Sequence, residues 1–392
     1  MAVRQGYGKI AGTDALVFAY DTGDTRNSYK GEPTTNLLPE GVAATHDAGS
    51  GNAVTVTDAT NEKGPGWKKV TITARGSNFR TLQWTYITMS ANTLYCHSAV
   101  FDWGNMRGKN YFIYFDGNGT GTRAYYRPGD YINQGSGDIN STMPDGKFAG
   151  TITHTASHTH AFFIGNYTIN TSGLNDYFYY KEFQVEVNSH PTSYTTGTRS
   201  STQGLLDLPR NSTIDLANVS FDSNAQMFFD GTNDNVTAAN NSNINVTGAE
   251  ITLEAVFKPD SFGVAEAIIH KDVQYTLAFY PNGEQGNITY ADSSLWSYST
   301  FGYHGVFLTG KYYHVVATKK NGVVNVYSNS EIVVSTSFGG SITSTSNPLY
   351  IGSYENTYYS HGVLPVAKVY NRALTADEVR NNYNQYRTRF NI

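Results

Sequence analysis

Apolar and polar residues alternate with a period of two along most of the chain, the spacing of strands that bury one face. The alternation begins in AVTVTD (53–58), continues in WKKVTITAR (67–75), and returns in TLQWTYITM (81–89) and TLYCHSAVFDW (93–103). NYFIYFDGNGTGTRAYYRP (110–128) reads as a hairpin, two aromatic-rich strands about a turn at Asp116-Gly117-Asn118-Gly119. FAGTITHTASHTHAFFIGNYTI and YFYYKEFQVEVN complete a first block of antiparallel strands, numerous enough for a two-sheet sandwich or jelly roll. A second all-β block holds AQMFFDG, EITLEAVFKP, EAIIHKD, YTLAFYPNGEQGNITYA, KYYHVVATKKNGVVNVYSNSEIVVS and NPLYIGS, with turns at Asn282-Gly283 and Asn321-Gly322. Only one segment carries a convincing helix signal. Thr375, with Glu378 three residues on, forms a capping box that opens a short helix to about Tyr386.

The predicted fold class is therefore all-β: two antiparallel β-sandwich domains in tandem, an extended N-terminal arm and one short C-terminal helix. The arm, residues 1–40, holds a short apolar run (LVFAYD) among Gly, Pro and Asn punctuation. Such a segment cannot bury a core alone, so it either packs on the body or holds a partner. The first sandwich is assigned to 41–200, a polar connector with Gly204 and Pro209 as breakers to 201–224, and the second sandwich to 225–392.

Composition narrows the partners. Charged residues are only 15% of the 392, while Tyr reaches 30 and Gly 38. Those residues fit pleated sheets and turns rather than helix bundles. Lys and Arg number 27 against 32 Asp and Glu, and no basic stripe could follow a phosphate backbone, which argues against nucleic acid. No run approaches the roughly 18–20 apolar residues of a membrane span, so membrane insertion is not expected, and the N-terminus lacks the pattern of a secretion signal. A single cysteine, Cys96, excludes an intrachain disulfide or a multi-cysteine zinc site.

The segment order MFFDGTNDNV, ITLEAVFKP, GKYYHVVATKKNGVVNVYSNSEIV, NPLYIGSYE, VAKVYNRALTADEVRNNY resembles the laminin-G-like, concanavalin A-like lectin/glucanase superfamily over the whole second domain. The resemblance implies a sandwich of two curved antiparallel sheets. The middle block is similar, in pattern rather than motif, to the jelly-roll carbohydrate-binding modules of glycan-active and phage structural proteins, through NLLPEG, GWKKVTITA and YFYYKEFQVEVNSHPTSYTTGTRS. The arrangement of arm, jelly roll, connector and laminin-G-like domain resembles tailed-bacteriophage virion structural proteins. It implies a fibre, tail-associated or capsid-decorating subunit, assembled in the host cytoplasm and exposed on the particle. The arm would then hold other virion proteins and the sandwiches would adhere to host surface glycans. A purely structural scaffold or decoration protein with protein–protein contacts only is the first alternative, and a glycan-cleaving enzyme, which would need a cleft with two facing carboxylates, the second. Fibre-like proteins are often homotrimers, but no heptad seam or repeat sets a symmetry, so a homo-oligomer is carried without one.

Glycan recognition needs flat aromatic faces with amide and carboxylate groups around them. Two loops of the second domain offer these: SSLWSYSTFGYH, with Trp296, Tyr298 and Tyr303 beside Asp292, and SYENTYYSHG, with Tyr354, Glu355, Asn356, Tyr358 and Tyr359. In the middle domain Trp103, Tyr125, Tyr126 and Tyr131 are similar candidates, whereas Trp67 is expected in the core. For any one of these rings, core packing is the competing role.

No cofactor is required. The resemblance brings in calcium, held at a sheet rim by oxygen ligands, with Asp230 and Asp234 as candidates. The Asp-Gly-Thr-Asn-Asp run is equally a turn stabilised by its own side chains, and the turn is the expectation. His154, His158 and His160 are expected as solvent-facing strand residues rather than ligands. The glucanase pattern E-x-D-x-x-E is absent, and Glu182 and Glu186, four apart on a strand, read as surface acids sharing a face. Cys96 and His97 are adjacent on a strand and point to opposite faces, so they form no dyad. The chain is expected not to be an enzyme.

Overall fold

The computed structural model describes residues 15–38, 53–74, 80–83, 87–107, 111–117, 124–128, 139–143, 145–153, 157–166, 174–222, 224–262, 265–282, 285–294, 307–337, 339–355 and 357–392. These fold as an all-β protein, as the alternation predicts. The chain forms two compact units, one of residues 1–33 with 199–392 and one of residues 34–198. The second sandwich is thus discontinuous in sequence, and the middle domain is inserted between its first strand and the remainder.

Among the described residues the sandwich has fourteen strands: β1 (Leu16–Asp21), β2 (Ile214–Ala217), β3 (Ser220–Phe221), β4 (Met227–Asp230), β5 (Asn235–Ala238), β6 (Glu250–Pro259), β7 (Glu266–Lys271), β8 (Tyr275–Asn282), β9 (Gln285–Asp292), β10 (Tyr313–Lys320), β11 (Val323–Ser328), β12 (Glu331–Ser337), β13 (Leu349–Ile351) and β14 (His361–Tyr370). One sheet runs β3-β4-β14-β6-β10-β11-β12, with β1 also paired to β14, and the other runs β2-β5-β13-β7-β8-β9. Alternate residues build the core between them: Ile251, Leu253, Ala255 and Phe257 of β6 face Leu277 and Phe279 of β8 and Ile288 and Tyr290 of β9 in one apolar cluster.

The N-terminal arm is corrected over its described residues. LVFAYD is a full sheet strand, antiparallel to β14 with Tyr20 opposite Ala367, and Phe18, Ala19 and Tyr20 are fully buried. Ala19 N–H donates to Asp207 at 2.9 Å, and Tyr20 hydroxyl donates to the Leu364 carbonyl at 3.0 Å. The connector is corrected as well. Its short apolar pieces put Leu205, Ile214, Leu216 and Phe221 into the core, and Asp207 accepts the Asn211 and Ser212 amides at 2.8 and 2.9 Å. Polar composition concealed these strands because they are only four and two residues long, pairing with Asn235–Ala238 and with Met227 and Phe228, and polar residues separate their apolar positions.

The helix α1 (Ala376–Phe390) starts as the capping box predicts and runs four residues past Tyr386. It lies on the outer face of the larger sheet, where Val379, Tyr386 and Phe390 pack against Val256, Val316 and Val366. Beneath it Glu254, wholly buried, accepts from Lys368 at 3.1 Å, Tyr370 at 2.9 Å and Asn382 at 2.9 Å, with His314 Nε2 at 3.0 Å. Burial alone would raise the Glu254 carboxyl, but Lys368 and His314 hold it well below the usual range. Among the described residues the only other α-helix is the four-residue Thr60–Lys63, and no helix is long and apolar enough to cross a membrane.

Among the described residues the inserted unit has two larger sheets. One orders strands Gly146–Thr153, Leu94–Asp102, Tyr177–Val187, Lys68–Ala74 and Ala53–Asp58; the other pairs the two aromatic-rich strands antiparallel, with Ile113 opposite Tyr126. The expected turn is corrected in part: Asp116 and Gly117 continue the first strand opposite Ala161 and His160, and Asn118 and Gly119 lie outside the described residues. Trp103 is fully buried in this unit, stacked 5.1 Å from Phe101, so it is a core residue and not a glycan contact. Trp67 is corrected the other way: it is half-buried at the surface, with Lys181 Nζ 5.5 Å above its ring. Glu182 and Glu186 do not share a face, because the register shifts between Lys181 and Gln184. Glu182 is exposed, while Glu186 is buried and accepts from Thr34, Gln184 and Thr192. Cys96 and His97 are both buried, and burial pushes the His97 ring down to about 3. His158 and His160 lie on a strand opposite Met89 and Ile87. Tyr125 and Tyr126 also lie on a strand, and Tyr131 and His154 fall outside the described residues.

Candidate glycan-binding face

The outer face of the smaller sheet is built from residues that alternate with the core set. Register places His270 opposite Thr276, Ala267 opposite Ala278, Ala278 opposite Thr289, and Thr276 opposite Ala291. Residues directly opposite in an antiparallel pair share a face. Since Leu277, Phe279, Ile288 and Tyr290 face the core, this set faces out. Ala267 and Ala278 pack under Tyr354, and His270 Nδ1 lies 2.6 Å from Thr276 Oγ1. Burial pushes the His270 ring down to about 4, so it is neutral at pH 7.

The loop 352–360 crosses this face. It leaves β13 at Gly352, whose φ of +82° favours glycine and where a Cβ would sit 2.1 Å from the Phe229 ring. Tyr354 and Thr357 exchange backbone hydrogen bonds at 3.0 and 2.8 Å, Ser360 N–H returns to the Gly352 carbonyl at 2.8 Å, and Ser360 Oγ donates to the Ala267 carbonyl of β7 at 3.0 Å. Two non-glycine residues, Glu355 and Tyr358, take φ values of +54° and +49°. A bulky aromatic in the left-handed region is strained, and the closed loop holds it there. The product is a row of rings. Tyr354 meets His270 edge-on at 4.7 Å, and Tyr358 meets Tyr354 edge-on at 6.1 Å. Tyr358 itself is 57% exposed. Tyr359 is half-buried and Glu355 exposed; burial, then Glu355 and Tyr359, raise the hydroxyl of Tyr350 on neighbouring β13.

The structure therefore joins Tyr354, Glu355, Tyr358 and Tyr359 in one loop and removes Asp292 from the set. Asp292 is fully buried between the sheets, 2.6 Å from Lys319 Nζ, and accepts the Tyr290 hydroxyl at 2.7 Å. A carboxylate committed to a buried ion pair is not available to a sugar hydroxyl. Asn356, Trp296, Tyr298 and Tyr303 lie outside the described residues. Asp230 and Asp234 build the expected turn: Asp234 accepts Asp230 N–H at 2.7 Å, and Asp230 accepts Thr232 N–H at 2.8 Å. That arrangement does not fit a shared calcium ion, and burial pushes the Asp234 carboxyl up to about 6. Among the described residues no group of three or more His, Cys, Asp or Glu is placed to hold a metal ion.

Asn287, Thr289, Thr276 and His270 were not singled out from sequence. Their signal was present in the small and polar residues at alternate positions of YTLAFY and GNITYAD, but loop aromatics are the more conspicuous sugar-binding feature.

With this geometry in place, comparison with known families is informative for part of the chain. Residues 230–380 match the Laminin_G_3 model, described as the concanavalin A-like lectin/glucanases superfamily. The matched stretch is about two fifths of the chain, and over it the sequence is similar to that superfamily. It contains the whole candidate face, from β7 to the loop 352–360. A comparison with curated proteins found no match. Solved structures similar to part of the chain include the botulinum neurotoxin serotype G binding domain (16% identity, 47% of this chain and 49% of that one, TM-score 0.35). A Trypanosoma rangeli sialidase mutant displaying trans-sialidase activity is similar at 18% identity over 47% of this chain and 31% of its own, with a TM-score of 0.37. Domain 4 of AbnA, a GH43 extracellular arabinanase from Geobacillus stearothermophilus, in complex with arabinotriose, is similar at 17% identity over 46% of this chain and 92% of its own, TM-score 0.36. The chain spans about half the length of the neurotoxin domain and about a third of the sialidase. At these scores the three likenesses carry no argument about chemistry.

Proposed function

We propose that the chain is a non-enzymatic glycan-binding protein whose concanavalin A-like domain holds a saccharide against the loop 352–360. The observation that carries this reading is Tyr358: an exposed ring in a strained backbone, braced edge-on by Tyr354 above His270. A rigid aromatic presents apolar area at small conformational cost and suits the apolar face of a pyranose. The family match supports a lectin-type role for this domain.

On a bacteriophage particle, the setting suggested by the segment order, this domain would be the outward adhesive part of a fibre, tail or decoration subunit. Of the arm that would hold other virion proteins, the described residues 15–33 belong to the sandwich unit. A glycan array probed with the full chain and with Tyr358→Ala, each with and without calcium, tests the reading. Selective binding by the full chain, lost in Tyr358→Ala and independent of calcium, is expected. Absence of binding to any glycan would leave the scaffold role.

A further inference from the structure

The outer face of β9 carries two polar side chains that the fold leaves unsatisfied. Asn287 and Thr289 are only 5% and 4% exposed, and neither Asn287 Nδ2 nor Thr289 Oγ1 has a hydrogen-bond partner. An unmade hydrogen bond at a buried polar atom is destabilising, and an apolar residue of the same shape would avoid it. The two stand at alternate positions on one strand, so they share a face. Thr289 is directly opposite Ala278, which packs under Tyr354, so that face is the one the loop 352–360 crosses. Around Thr289 the outward side chains are small, Thr276, Ala278 and Ala291 with Ala267 beyond, while Asn287 stands opposite Tyr280.

We propose that Asn287 and Thr289 are specificity-determining contacts for a neutral, hydroxyl-rich saccharide, an inference that rests on the reading of this face as glycan-binding. An amide N–H donates and a threonine hydroxyl donates or accepts, a pairing that suits hydroxyl, ring and acetamido oxygens. The described outward side chains of β7, β8 and β9 include no charged group: they are alanine, threonine, asparagine, tyrosine and a neutral histidine. A carboxylated or sialylated sugar placed there would lose hydration without meeting a cation. The ionisable residues of the same strands are committed elsewhere: Lys271 to the Asn347 carbonyl at 2.6 Å, Asp292 to Lys319, and Glu266, which accepts His361 N–H at 3.3 Å.

Thr289→Val and Asn287→Leu, made in the full chain, test the inference with two readouts. Binding to paired neutral and acidic glycans on an array is measured beside the melting temperature. Each substitution is expected to weaken neutral-glycan binding about tenfold, the worth of one hydrogen bond. The melting temperature is expected to stay level or rise, because an unpaired buried polar atom has been removed. Binding unchanged in both variants while Tyr358→Ala loses it would overturn this inference and leave the loop reading standing. A markedly lower melting temperature in Thr289→Val, or selective binding of acidic glycans, would also overturn it. No glycan bound at all, or full binding by Tyr358→Ala, would overturn the loop reading beneath it.

Discussion

The two outer faces of the sandwich solve opposite problems with the same strand alternation. Over the larger sheet, buried charge is covered by α1 and anchored: Glu254 holds Lys368, His314, Tyr370 and Asn382 together. His314 Nδ1 and Asn382 Oδ1 stay unpaired there, yet each side chain is fixed through its other polar atom. Over the smaller sheet no helix is laid down among the described residues. The outward residues of β7–β9 are uncharged, alanine, threonine and asparagine with His270 and Tyr280, and Thr289 has no partner for its one polar side-chain atom. A network closed by its own helix serves the fold; the other face leaves unmade hydrogen bonds beside a strained tyrosine, which is what the proposed ligand would meet.

The largest expected effect breaks the closed side. Deleting residues 1–22 removes β1 and the burial of Val17, Phe18 and Tyr20 from the larger sheet. At about 1.5–3 kcal/mol per buried side chain, this exceeds half of a typical domain's stability. The deleted chain is expected to lose cooperative unfolding of the sandwich by calorimetry, and a segment 221–392 is expected not to fold alone. Lys368→Met comes next. It strands Glu254 as a buried, uncompensated charge and is expected to cost roughly 3–5 kcal/mol in denaturant unfolding, whereas Thr289→Val on the other face costs nothing.

A third effect is one of pH. Burial, with Asp260 adding to it, pushes the Glu266 carboxyl of β7 up to about 8. The folded state therefore keeps a proton that the unfolded chain gives up near pH 4.5. The stabilisation is complete below that value and is lost as pH rises through 8. Denaturant midpoints are expected to fall between pH 5 and pH 8, and Glu266→Gln is expected to flatten that slope. The smallest effect concerns calcium: adding it is expected to leave the melting temperature unchanged, and a rise abolished by Asp234→Asn would restore the rim site.

Sequence reading succeeded where the signal is local. The capping box of Thr375 and Glu378 lies within one helical turn, and the alternation of EITLEAVFKP is read directly as inside and outside positions. It failed where the deciding partner is distant. Asp292 looked like a loop carboxylate because Lys319, which buries it, lies on another strand, and β1 looked like a free arm because β14 is hundreds of residues away. Trp103 was misjudged for a similar reason, since Phe101 and Phe178 close around it only in the folded unit. At the candidate face the loop tyrosines were legible as types. The floor beneath them was not, because small side chains become conspicuous only when register shows which polar atoms they leave unpartnered.

Hydrogen–deuterium exchange of the full chain with and without the best saccharide from the array tests the central claim most directly. The account predicts slowed exchange confined to β7–β9 and the loop 352–360, with the strands under α1 unchanged. Protection centred on the inserted unit, or on the larger sheet, would contradict it.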